Sequence, residues 1–60
     1  MSAPTYYVMQ LIEGDECLLH HSPEVMAALE YARAEKRRNP HAELSIWSDK
    51  GGIVIPDVIA

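Results

Sequence analysis

Cys17, His20 and His21 fall close together in the stretch "CLLHHSPEV". Thiols and imidazoles are the side chains that ligate zinc or form a cysteine–histidine nucleophile. What they can do depends on the backbone that carries them. The segment is a short apolar run between an acidic turn and a helix start, and is expected to be a strand over residues 17 to 21. In a strand, successive side chains alternate faces. Cys17, Leu19 and His21 are then expected on one face, and Leu18 and His20 on the other. The two histidines point apart. Cys17 and His21 share a face, but four strand residues separate their Cα atoms by about 13 Å. Zinc needs its ligands within about 2.0–2.3 Å of one point, and a catalytic base must lie within about 3 Å of its nucleophile. A metal site would survive only if the segment were not a strand or if His41 joined from a distance, and even then four ligands are hard to assemble within one chain. The sequence therefore assigns no catalytic, metal-ligating or cofactor-binding residue, and no enzymatic activity is expected. Cys17 is expected to pack as a small apolar side chain.

The elements around this stretch follow from patterning. "TYYVMQLI" is β-branched and aromatic-rich and is expected to be a first strand. "EGDE" is a turn, with Gly14 and Asp15 suited to it, so residues 5 to 21 form a hairpin. Ser22-Pro23-Glu24 is a helix start: a capping hydroxyl, a proline for the first helical position, and a carboxylate near the positive end of the dipole. Val25, Ala28, Leu29 and Ala32 recur at helical spacing. Arg33, Lys36, Arg37 and Arg38 complement the C-terminal end. Asn39-Pro40 is expected to stop the helix, with Asn39 as a left-handed cap. "AELSIWS" alternates, "DKGG" is a hairpin turn lacking the lysine and hydroxyl of a phosphate loop, and "IVI" is a short strand ended by Pro56. "DVIA" is a tail that pairs or frays.

The expected architecture is a single α+β domain over residues 1–60. Four antiparallel strands in the order ββαββ carry one helix of about 16 residues on one face. A right-handed crossover through the helix places the third strand beside the first, so the spatial order is 2-1-3-4.

Composition narrows the function class. Apolar residues make up 48% of the chain, which excludes a disordered segment. The N-terminus has no basic and apolar signal pattern, and no apolar run approaches the ~20 residues that span a bilayer. A cytoplasmic protein with no membrane association is expected. A single cysteine permits no internal disulfide, so a homodimer is a natural source of missing stability. Nine acidic against five basic residues, a net charge of −4, argue against a general nucleic-acid binder. The basic run from Arg33 to Arg38 is interrupted by Glu35, so it is not an extended basic face. A nucleic-acid-associated regulator using Arg33, Lys36, Arg37 and Arg38 is the alternative reading.

The most informative residues are aromatic. One helix covers one sheet face. If Leu44 and Ile46 face it, Trp47 faces away. The first strand is apolar on both parities, with Tyr7, Met9 and Leu11 against Tyr6, Val8 and Ile12. A monomeric sheet with one solvated face should alternate more cleanly. Either the tail "PDVIA" closes a second small core, or the open face binds a protein. The binding residues expected are Trp47 with Tyr6 or Tyr7, and Arg33 and Arg37, because Trp, Tyr and Arg dominate binding hot spots. Strand addition at an open sheet edge is a second mode.

The stretch "EVMAALEYARAEKRRNPHAELSIWSDKGGIVI", about half the chain, resembles the helix–hairpin half of small uncharacterised bacterial and phage domains of the strand-strand-helix-strand-strand kind. The matching residues are Ala28, Leu29, Ala32 and Arg33, then Ala42, Glu43, Leu44 and Ile46, all of structural type. In size and style the chain is also similar to small phage-encoded proteins that inhibit a host protein. The resemblance implies no cofactor and no catalytic residue. The function expected from the open face and its aromatic residues is a small non-enzymatic interaction module, of phage or mobile-element origin, that acts by occluding a protein partner.

Overall fold

The computed structural model describes residues 3–59. The elements run β1 (Tyr6–Ile12), β2 (Asp15–Ser22), α1 (Val25–Arg38), β3 (Glu43–Ser48) and β4 (Gly52–Ile55). The four strands form one antiparallel sheet in the order β2-β1-β3-β4, with α1 on one face, as the crossover rule leads one to expect.

The β1–β2 turn is tight, as expected, but it is built on Glu13 and Gly14, and Asp15 already belongs to β2. Ile12 pairs directly with Asp15, which leaves a two-residue loop. Glu13 and Gly14 have φ of 51° and 86°, the doubly positive pattern whose twist matches a hairpin. Glu13 occupies the first of these positions, so the stress on the second falls to glycine. A Cβ at Gly14 meets nothing within 4 Å, so an alanine there pays only the conformational cost. Gly14→Ala is expected to lower stability by about 1–2 kcal/mol, read as a drop in the urea midpoint at unchanged slope. Gly14→Asn, which tolerates this region, should lose less.

The helix begins later than expected. Glu24 is the N-cap, with extended φ −119° and ψ 127°, and Val25 is the first helical residue. Pro23 therefore precedes the cap instead of occupying the first turn. The reason is that Ser22 stays in the β-ladder, paired with Tyr6, and proline drives its predecessor toward extended backbone. Ser22 Oγ accepts a hydrogen bond from the Glu24 N–H at 3.1 Å, a local turn that feeds the helix without capping it. At the other end Asn39 has φ −135°, not a left-handed cap. Pro40 again keeps the preceding residue out of the helical region. The Asn39 N–H still closes the last turn on the Glu35 carbonyl at 2.9 Å.

The core lies between helix and sheet. Its buried members are Val8 of β1, Leu44 and Ile46 of β3, Ala28 and Ala32 of α1, and Ala42 and Val58 from the flanking segments. Tyr6, Leu19, Leu29, Tyr31 and Ile55 pack around them. Val58 settles the position of the tail. Its N–H donates to the Leu44 carbonyl at 2.9 Å and its side chain is 1% exposed in the helix-side core. After the bend at Pro56 and Asp57 the chain thus returns to the β3 edge. It completes the helix-side core and leaves the aromatic end of the second sheet face uncovered, while Pro56 and Asp57 border its acidic end.

Candidate functional site

The cysteine and histidines are arranged by an irregularity that strict alternation missed. The β1–β2 register slips between Val8 and Met9: Met9 pairs with Leu18, whereas Val8 pairs with His20. Leu19 is the extra residue of a β-bulge. Paired residues share a face, so Cys17, opposite Gln10, and His20, opposite Val8, both lie on the helix side. Leu19 packs on that core too. His21, opposite Tyr7, has open-face parity, but its ring lies 6.4 Å from that of His20 and 24° from parallel, so the two histidines do not point apart as expected. The expectation that Cys17 and His21 share a face is therefore corrected, and the bulge is the cause. The His20 ring stacks on Tyr31 of α1, with centroids 4.4 Å apart and planes 10° from parallel. Among the described residues no three His, Cys, Asp or Glu side chains converge on a metal-sized point.

The basic helix end is partly committed to the fold. Lys36 Nζ donates to the Ala42 carbonyl, tying α1 to the start of β3. Arg38 pairs with Glu35 one turn back. Arg33 and Arg37 are exposed and enter no ion pair among the described residues. They lie on the helix layer, on the far side of the sheet from Trp47, so the structure does not unite them with the aromatic residues.

The open face is a grid of three rows, read from the pairings. His21, Tyr7, Trp47 and Ile53 form the first row across β2-β1-β3-β4. Leu18, Met9 and Ser45 form the second. Glu16, Leu11 and Glu43 form the third. Tyr7, Met9, Leu18 and Trp47 line a shallow, open hollow of about 480 Å³, bordered by Glu16 and Ser48. Trp47 lies over Ser45: its Nε1–H donates to Ser45 Oγ at 3.0 Å, and Ser45 is 8% exposed beneath it. Leu18 is 54% exposed and Ile53 47%. A second hollow of about 300 Å³ opens at the acidic end, where Glu16, Glu43 and Asp57 surround Leu11 and Leu44.

Of the two tyrosines expected as anchors, only Tyr7 joins Trp47 on this face; the two pair directly across β1 and β3. Tyr6 has the opposite parity and packs on the helix-side core. Leu18 belongs to the face but was not singled out from sequence. The signal was present: counting back from a two-residue loop at Glu13-Gly14 sets Leu18 opposite Met9.

No family model, curated protein or solved structure matches the chain. No helix among the described residues is long and apolar enough to cross a membrane.

Proposed function

We propose that the chain is a non-enzymatic protein-interaction module that binds through its open sheet face and acts by occluding the surface it covers. One observation carries this reading: Trp47, Tyr7, Met9 and Leu18 form a contiguous apolar hollow on the part of the face that neither the helix nor the tail covers. Exposed apolar surface of this kind marks sites of association, and an aromatic centre is the usual source of binding energy.

The edges support the face as the binding element over strand addition. The β2 edge is interrupted by the bulge at Leu19 and starts with Asp15 and Glu16. The β4 edge has four residues, its pairing with β3 is irregular, and Pro56 ends it. Bulges, charges, short length and proline are the devices that discourage a new strand. The nucleic-acid reading is less well supported, because Lys36 and Arg38 already serve contacts within the helix and its exit loop.

A photoreactive side chain tests the choice. With Leu18→p-benzoylphenylalanine, illumination of cells that make the protein should yield a discrete protein adduct, lost when Met9→Glu is added. The same group at Arg33 should yield none. Nucleic-acid adducts from position 33, with no protein adduct from position 18, would overturn the proposal.

A further inference from the structure

Resting on that reading, we infer that a second copy of this chain occupies the open face, with the strands of the two sheets running antiparallel. Three observations lead there. The first is size. Four strands about 4.8 Å apart, the longest of eight residues at ~3.3 Å each, give the open face a footprint of at most roughly 500 Å². That is below the ~800 Å² each partner buries in a standard interface and suits a weak dimer.

The second is the smallness of the core. The fully buried large side chains are Leu44, Ile46, Val8 and Val58, and the helix contributes only alanines to the buried set. A domain of this size without a disulfide gains most from covering apolar surface with another subunit.

The third is charge, and it selects the orientation. The face has an acidic row, Glu16 and Glu43, at one end, and His21 with Trp47 at the other, next to the turn carrying Lys50. Two orientations about a two-fold axis in the interface are open. If the strands ran parallel, Glu16 and Glu43 of both copies would gather at one end, four carboxylates together. If the strands run antiparallel, each acidic row lies over the other copy's aromatic row. Glu16 then meets the second copy's His21, an N–H donor for a carboxylate, Tyr7 meets Leu11, and the exposed Glu43 at the start of β3 lies at the rim beside the second copy's Trp47. Rows Leu18–Met9–Ser45 meet at the centre. Face-to-face sheets pack about 10 Å apart with their strands within about 30°, which keeps these rows in register.

Sedimentation equilibrium on the full chain, from low micromolar to ~1 mM, tests the inference with Glu16→Lys, His21→Glu and the double variant. Glu16 and His21 are exposed, and an unchanged urea midpoint extrapolated to the monomer confirms that each variant folds. Wild type should form a dimer. His21→Glu should weaken it several-fold by setting two carboxylates face to face, Glu16→Lys should weaken it by removing the acceptor for the second copy's imidazole N–H, and the double variant should restore it. A monomer throughout overturns self-association. A dimer tightened by Glu16→Lys alone, or indifferent to both singles, overturns the antiparallel arrangement. The photoadduct at position 18 separates the two proposals: a monomer that still cross-links to a different protein refutes the second copy and keeps the binding face.

Discussion

Replacing Ile46 with alanine is expected to leave most molecules unfolded at 25 °C. Ile46 is fully buried in β3, flanked by Val8 on β1 and Ile55 on β4. It touches both halves of the sheet and the core beneath the helix. Truncating such a residue costs about 2–5 kcal/mol, part of it from the cavity left behind. A domain of this size rarely holds more than about 3–5 kcal/mol in all, so one substitution removes most of the margin. Far-ultraviolet circular dichroism should lose its helical signal, and urea unfolding should lack a folded baseline. Ile46→Val should cost about 0.5–1.5 kcal/mol and keep a cooperative transition. An alanine variant that melts like wild type would contradict the core described.

The tail makes the second large prediction. Val58 and Ile59 are neighbours near the chain end, yet one is 1% exposed and the other 73%. Val58→Asp places a carboxylate in an apolar core with no partner, a cost of several kcal/mol, and is expected to abolish cooperative unfolding. Ile59→Asp should leave the transition within about 0.5 kcal/mol of wild type. Equal behaviour of the two variants would mean that the tail does not close the core.

Most of the fold was legible because its signals are local and redundant. Alternation in "AELSIWS" placed Leu44 and Ile46 inward and Trp47 outward, and the pairings show the same parity. The order β2-β1-β3-β4 followed from crossover handedness. What was hidden depends on contacts distant in sequence. Leu19 looks like any strand residue, and only its packing on the helix-side core makes an extra residue worthwhile there. Pro23 has the composition of a first helical residue, but the ladder partner of Ser22 lies sixteen residues earlier, at Tyr6. Val58 follows a proline and a bend, which suggests fraying. Its place is set by the Leu44 carbonyl and by the buried cluster between helix and sheet that it joins. Tyr6 and Tyr7 were equivalent by composition, and only parity separates them.

The hydrogen bond from Trp47 to Ser45 has a consequence beyond packing. The indole turns its one polar atom toward the sheet, so the ring surface left outward is hydrocarbon. Any molecule lying over it is recognised there by shape and not by a donor. Trp47 is also the sole tryptophan in the chain. Its emission wavelength and its quenching by iodide, excited at the red edge where the three tyrosines do not absorb, are thus a label-free optical record of whether the hollow is wet or covered.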